Sequence, residues 1–211
     1  MSRASGAWVG FKCQTEVVES SATVSMEGLN TPAVLPEGSG THALRWPDGP
    51  FPKEARIEKK LALVQEFARL NGLDERFGAA DAKVGIVSAG KSWLDLRAAL
   101  ARLGMTEDDV AAHGIRLLKL GLTWPIDPVG LTEFAEGLDE LIVVEEKRPI
   151  IENQVKAVLF NAAIRPRVSG KTTPEGAPLM SALAELHPHQ IMEAVLSRLP
   201  KAMRAGLPAP A

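Results

Sequence analysis

The sequence predicts an α/β fold, and three observations predict it. From residue 81 onward, short apolar runs alternate with amphipathic stretches. The clearest run, Leu141-Ile-Val-Val144, holds no polar residue. Glycines, prolines and charged corners separate run from stretch. Strands that are apolar throughout belong in a parallel sheet buried on both faces, with the intervening helices as outer layers. The expected architecture is therefore a parallel-sheet, three-layer domain. Composition agrees, since 211 residues at 45% hydrophobic and 24% charged suit an ordinary globular protein with a sizeable core.

The elements follow in chain order. Residues 7–12 (Ala-Trp-Val-Gly-Phe-Lys) and 22–26 (Ala-Thr-Val-Ser-Met) read as short strands. Residues 27–52 are rich in proline and glycine and have no period, which marks a linker. A helix starts at about Pro52: Ile57, Leu61, Val64 and Ala68 recur at helical spacing, and Asn71-Gly72 is a plausible stop, so residues 53–80 read as a connecting helical segment. The charges at Lys53, Glu54, Arg56, Glu58, Lys59 and Lys60 read as a solvated face. Residues 81–200 form the α/β domain. Lys83–Ser88 is a strand, and Ser92–Leu103 a helix with Leu94, Leu96, Leu100 and Leu103 apolar. Thr106-Glu-Asp-Asp109 resembles a capping box that opens a short helix ending at Gly114. Ile115–Leu120 is a strand, Pro128–Gly137 a helix, Leu141–Val144 a strand, Pro149–Asn161 a helix. Val168 lies on a last short strand, His189–Leu199 is a closing helix, and 201–211 a tail.

Composition excludes several functions. Cys13 alone cannot make an internal disulfide, a Cys-rich zinc site or the thiolate cradle of an iron–sulfur cluster, and its default reading is a buried thiol. A net charge of −2 gives no basic footprint for nucleic acid. No apolar run reaches the roughly 18 residues of a membrane span, and the first dozen residues lack a signal-peptide core. The expectation is a cytoplasmic chain with neither nucleic acid nor membrane as partner.

In open parallel sheets, sites gather beyond the carboxyl ends of the strands. The segments leaving those ends are Ser88–Ser92, Gly121–Pro125 and Glu145–Pro149. Ser88, Gly90, Lys91, Glu145 and Glu146 are thus the candidate site residues, by edge placement. Gly85-Ile-Val-Ser-Ala-Gly90-Lys91-Ser92 matches the phosphate-loop pattern letter for letter. That keeps open a nucleotide hydrolase using Lys91, Ser92 and Glu145, or a module gripping an anion at the helix after Gly90. Context opposes it: the convincing strand runs through Gly85, leaving only Ala89 and Gly90 to turn the chain. In Glu145-Glu-Lys-Arg148, one carboxylate at the site edge could exchange protons, or the run is a solvated corner. His187-Pro188-His189 reads as a helix N-terminal turn rather than a metal site, His113 and His42 are isolated, and Trp124 reads as packing.

Residues 83–93, 115–126 and 141–149, in that order, resemble bacterial indolepyruvate ferredoxin oxidoreductases. Trp8–Lys12 and Glu16–Val24 resemble the segment preceding that region. The resemblance implies a thiamin-diphosphate enzyme in which a 2-oxo acid is oxidatively decarboxylated, electrons pass to iron–sulfur clusters and coenzyme A takes the acyl group. It places 81–200 with the transketolase C-terminal domain and 1–26 as trailing strands of a thiamin pyrimidine-type domain. The family's Gly-Asp-Gly motif is not found here, Asp48-Gly49 following a proline, and its cluster cysteines are missing. The resemblance therefore implies an internal piece with a structural and assembly role, not itself catalytic and with no cofactor of its own. Thiamin diphosphate, magnesium, the clusters and coenzyme A belong to the parent. Its partners would be the parent's other domains, a dimer mate and ferredoxin.

Overall fold

The computed structural model describes residues 1–13, 15–28, 32–40, 49–106, 109–205 and 207. His42, Asp48, Glu107, Asp108 and most of the 201–211 tail beyond Arg204 lie outside the described residues. The chain divides into two units, Met1–Gly72 and Leu73–Ala211.

In the first unit, α1 (Ser2–Ser5), α2 (Thr15–Val18) and the long α3 (Pro50–Leu70) are the helices among the described residues. Pro50 sits in the first turn of α3, where its missing N–H is no loss. Val64, Phe67 and Ala68 are the buried face of α3, and α1 packs against this helix with Ala4 buried. The Asn71 side chain closes the unit, accepting from Val34 N–H and donating to Val34 C=O, both at 2.8 Å. The strands expected at 7–12 and 22–26 do not form. A strand needs a partner ladder, and these segments have none among the described residues; Trp8 is wholly exposed and Phe11 nearly so. For the same reason Cys13, expected as a buried thiol, is exposed.

The second unit is a five-stranded sheet of order β1-β3-β2-β4-β5, from β1 (Glu75–Gly78), β2 (Val84–Ala89), β3 (Ile115–Leu120), β4 (Glu140–Val144) and β5 (Arg167–Ser169). β2, β3, β4 and β5 are parallel, and β1 is antiparallel to β3, with Arg76 opposite Leu118. The α/β class and parallel core agree with the sequence. β1 corrects the expectation of a helical segment to residue 80: the helix stops at Leu70, and Glu-Arg-Phe-Gly is recruited as an edge strand by β3.

Alternation along each strand sorts the core into two layers. Ile86, Leu117, Ile142 and Val144 face α4 (Gly90–Arg102) and α7 (Pro188–Arg198), while Val87, Leu118, Leu141 and Val143 face α5 (Pro128–Ala135) and α6 (Ile150–Leu159). A short α8 (Lys201–Arg204) follows. The capping box forms as expected: Thr106 Oγ1 accepts from Asp109 N–H at 3.3 Å, and Thr106 N–H donates to the Asp109 carboxylate at 3.0 Å. It leads into a single 3-10 turn, Val110–His113, closed by Gly114. At the amino end of β4, the buried Glu140 binds Arg198 of α7 through both carboxylate oxygens and accepts from the Ser169 hydroxyl at 2.6 Å. That pair fastens α7 to the sheet.

Candidate functional site

From β2 the chain passes through α4 to β3 on one side, then returns through α5 to β4 on the other. The strand order therefore reverses between β2 and β4, and α4 and α6 leave that point on opposite faces. This is where open α/β sheets offer a ligand crevice. Ser88, Gly90 and Lys91 sit at the end of β2, and Glu145 and Glu146 at the end of β4, so the topology brings all five candidates to one edge.

Each of the five is engaged within the fold except Gly90. Ser88 is fully buried and donates its hydroxyl proton to Val144 C=O at 2.8 Å, tying β2 to β4. Glu145, also buried, reaches over the Pro149 corner to the start of α6. Its Oε2 accepts from Ile150 and Ile151 N–H at 3.0 and 2.8 Å, and its Oε1 from Glu152 N–H at 2.9 Å. A carboxylate at a helix N-terminus satisfies orphan amides and suits the dipole. Burial nevertheless holds the carboxyl above its ordinary value, the three amides and Lys171 pulling back. With both oxygens taken up, it has no face left for a substrate.

Lys91 is surrounded by carboxylates: Asp95 at 2.9 Å, Glu146 at 3.1 Å and Glu185 at 2.6 Å. Burial alone would lower its pKa, but these three partners lift it above the usual lysine value. Glu146 also accepts from Leu186 N–H at 3.1 Å. Burial would raise the Glu146 carboxyl, yet that N–H and Lys91 bring it below its ordinary value.

Sequence reasoning missed the segment that completes this edge. Residues 171–187 form an irregular strap across the ends of β4 and α4. Lys171 Nζ donates to Glu145 C=O and to Ser181 C=O, and Lys171 N–H to Glu152 Oε2 at 2.8 Å. Burial lowers the Lys171 pKa against the pull of Glu145, Glu152 and Glu146. Met180 and Leu186 of the strap are buried in the layer with Ile86 and Val144. The strap is thus tied to the edge between β2 and β4, through Glu185 to Lys91 and through Leu186 N–H to Glu146. No periodicity in 171–187 announces this; the one sequence signal is two leucine-rich turns, Pro178-Leu-Met and Ala182-Leu-Ala-Glu-Leu186, in an otherwise polar stretch.

The phosphate-loop string fails on geometry. Gly85 through Ala89 lie in β2, Gly85 to Ser88 pairing with both neighbours and Ala89 with β3, so no loop encircles anything. Gly85 is needed for packing: a Cβ there would stand 2.5 Å from Leu138 Cδ1 and 3.0 Å from Phe134 Cε1. Gly90 serves another end, taking φ +54° at the entry to α4 with open space around it. Lys91, which would meet a phosphate, is already committed to three carboxylates. Nucleotide hydrolysis and anion capture at this edge are unsupported.

Of the weaker features, His187 is the N-cap residue of α7 with Pro188 at the first position, as the sequence suggests. Trp124 is a correction: expected in packing, it is 61% exposed in the β3–α5 loop. That loop is held by Gln154 of α6, which accepts from Ile126 N–H at 3.1 Å and donates to Thr123 C=O at 3.0 Å. Among the described residues, no group of three or more His, Cys, Asp or Glu side chains is arranged to hold a metal ion. No described helix is long and apolar enough to cross a membrane.

A family model described as the indolepyruvate oxidoreductase domain matches residues 74–206. Curated relatives include the indolepyruvate oxidoreductase subunit IorA of Pyrococcus abyssi, 40% identical over 95 residues, 44% of this chain and 13% of that protein. The IorA subunit of Methanothermobacter thermautotrophicus is 34% identical over 138 residues, 60% of this chain and 21% of that protein. Both organisms are archaeal, so the bacterial part of the expected resemblance is not supported. The chain spans about an eighth to a fifth of the length of these relatives. Among solved structures, a 2-oxoglutarate:ferredoxin oxidoreductase from Magnetococcus marinus is similar with a TM-score of 0.47 at 19% identity, over 71% of this chain and 23% of that one. A split gene transketolase, described as an inactive beta4 tetramer, is similar with a TM-score of 0.42 at 19% identity, over 67% of this chain and 54% of that one.

Proposed function

The chain belongs to the indolepyruvate oxidoreductase domain family, and from that premise we propose that it is a structural and assembly domain of an oxidoreductase acting on indolepyruvate or a related aryl 2-oxo acid. The parent reaction is the oxidative decarboxylation of the 2-oxo acid to its acyl-CoA, with electrons delivered to ferredoxin. Thiamin diphosphate, magnesium, iron–sulfur clusters and coenzyme A serve the parent outside this chain. Residues 1–26 and 27–52 are the trailing part of a preceding domain and the linker from it.

The observation that carries this reading is the strap. A domain that seats a ligand at its strand-order reversal keeps that crevice open, and here the strap is tied across it, Glu185 to Lys91 after β2 and Leu186 N–H to Glu146 after β4. The residues at the edge do not fit a magnesium-held diphosphate: Glu145 is committed to the amides of α6, and Lys91 to Asp95, Glu146 and Glu185. No chemical step is assigned to them. Their work is to hold sheet, helices and strap in one rigid surface.

Calorimetric titration of the purified chain with thiamin diphosphate and magnesium tests the assignment. No binding heat is expected, and saturable micromolar binding would overturn it. The parent reaction is tested separately, by indolepyruvate-dependent ferredoxin reduction with the full-length protein and its co-expressed subunits; failure there would remove the substrate reading and leave the domain's role standing.

A further inference from the structure

Asn71 is bound as only a neutral amide can be. Its Nδ2 donates to Val34 C=O and to Phe67 C=O, both at 2.8 Å, while its Oδ1 accepts from Val34 N–H at 2.8 Å. Donor and acceptor meet the same residue, so the side chain pairs with Val34 as a neighbouring strand would. A carboxylate in its place could still accept from Val34 N–H. It would also turn a charged oxygen toward two carbonyl oxygens, with no proton to offer them. The amide is therefore a clasp that holds the segment around Val34 to the end of α3.

The residue after it is glycine, and of the chain's four asparagines only Asn71 is followed by one. Gly72 is exposed, turns the chain at φ +57°, and has open space where a Cβ would stand. With no side chain of its own, Gly72 lets its nitrogen approach the amide carbon of Asn71 closely. Asparagine is a thermolabile residue, and such a neighbour supplies the route. The Gly72 nitrogen loses its proton to solvent and bonds to Asn71 Cγ, the Cγ–Nδ2 bond breaks, and Nδ2 takes up a proton and leaves as ammonia. Water then opens the succinimide ring at one carbonyl or the other, leaving an aspartyl or an isoaspartyl link. Water is the one co-reactant, and nothing is oxidised or reduced. In the clasped state the amide is fixed by its three hydrogen bonds, and Gly72 N–H is itself engaged, donating to Arg69 C=O at 3.2 Å. Ring closure has to wait until these contacts open.

We propose that Asn71-Gly72 is a self-modification site gated by Val34. It hydrolyses, with loss of ammonia, when the Val34 segment lifts from α3, and the product lacks the donor that would clasp the segment again. A reversible opening becomes permanent. The site occupies the last two residues of the first unit, so the isoaspartyl product lengthens the main chain by one methylene just ahead of Leu73.

The test incubates the 211-residue chain in mildly alkaline buffer and follows it by peptide mapping with mass spectrometry, with ammonia release measured alongside. The Asn71 peptide is expected to show amide-to-acid exchange in aspartyl and isoaspartyl forms, while the peptides holding Asn153 and Asn161 stay unchanged. V34P removes the N–H that Oδ1 accepts, and is expected to speed the conversion about fivefold, the worth of one hydrogen bond. The chain unfolded in urea gives the ungated rate, expected to exceed both. Val34 N–H should lose its exchange protection in step with the conversion. Conversion at Asn71 no faster than at Asn153 and Asn161 overturns the proposal. A folded-chain rate equal to the unfolded one, or an unchanged rate in V34P, overturns the gate. G72A hinders ring closure, so a variant that converts as fast as the unaltered chain overturns the succinimide route.

Discussion

The two units use similar residues to opposite effect. In Leu73–Ala211, Val, Ile and Leu alternate along paired strands and vanish into two packed layers. In Met1–Gly72, Ala4, Pro36, Val64, Phe67 and Ala68 are the buried apolar side chains among the described residues, while Trp8, Phe11, Val24, Met26 and Phe51 stand in solvent. The difference teaches that β-propensity describes a fit to a pleated, half-buried surface, and it yields a strand only where such a surface exists.

If stability resides in the second unit, substitutions should rank accordingly. Replacing Arg198 with Met leaves Glu140 buried without its cation and should cost on the order of 3–5 kcal/mol in urea unfolding followed by circular dichroism. A loss under about 1 kcal/mol would show that α7 is held by packing alone. Leu186→Ala, in the strap, should cost about 2–4 kcal/mol, because a buried side chain leaves a cavity that only partly collapses. A surface-like cost would mean that the strap lies on the layer rather than in it.

Acid should loosen the strap before the sheet. The Glu146 and Glu185 carboxyls are held below the ordinary glutamate value of 4.5, so their contribution is complete above that value and lost as pH falls through their lowered folded-state values. Lys91 has the opposite sign: its raised value keeps its contribution whole below the ordinary lysine value of 10.5 and loses it only in stronger alkali. The Leu186 amide is bound to Glu146, which Lys91, Lys147, Lys171 and Glu185 face; its protection, measured against the intrinsic exchange rate at each pH, should thus hold through neutral pH and fall in acid while the β2 amides remain protected. Simultaneous loss at both places would join strap and sheet in one cooperative unit. The smallest effect is expected in the first unit. Trp8→Ala and Phe11→Ala should each change unfolding free energy by less than about 0.5 kcal/mol, despite removing large aromatics.

What the sequence made legible follows the same division. β4 stands out because its run Leu141–Val144 is buried on both sides and wholly apolar, and β2 and β3 because apolar residues dominate them around Ser88, Arg116 and Lys119; α4 and α7 stand out by period. β1 was hidden because Glu-Arg-Phe-Gly has no pattern of its own and is a strand only by pairing with β3, some 40 residues on. The five site candidates could be placed at one edge from strand order alone. What their side chains do could not be read. Glu145 finds its donors five to seven residues later, past a proline, and Lys91 finds Glu185 across most of the domain. Such contacts are fixed by folding, not by spacing.

The two glycines of the phosphate-like string carry a last consequence. Gly85 is small because Phe134 of α5 and Leu138 beyond it lean on β2 there, and Gly90 because the chain turns into α4 there. The interval between them measures how far the sheet runs from its packed middle to its rim. A ruler for a nucleotide's phosphates and a ruler for strand length share the same markings here, and only the hydrogen-bonded neighbours of residues 85–89 say which is being read.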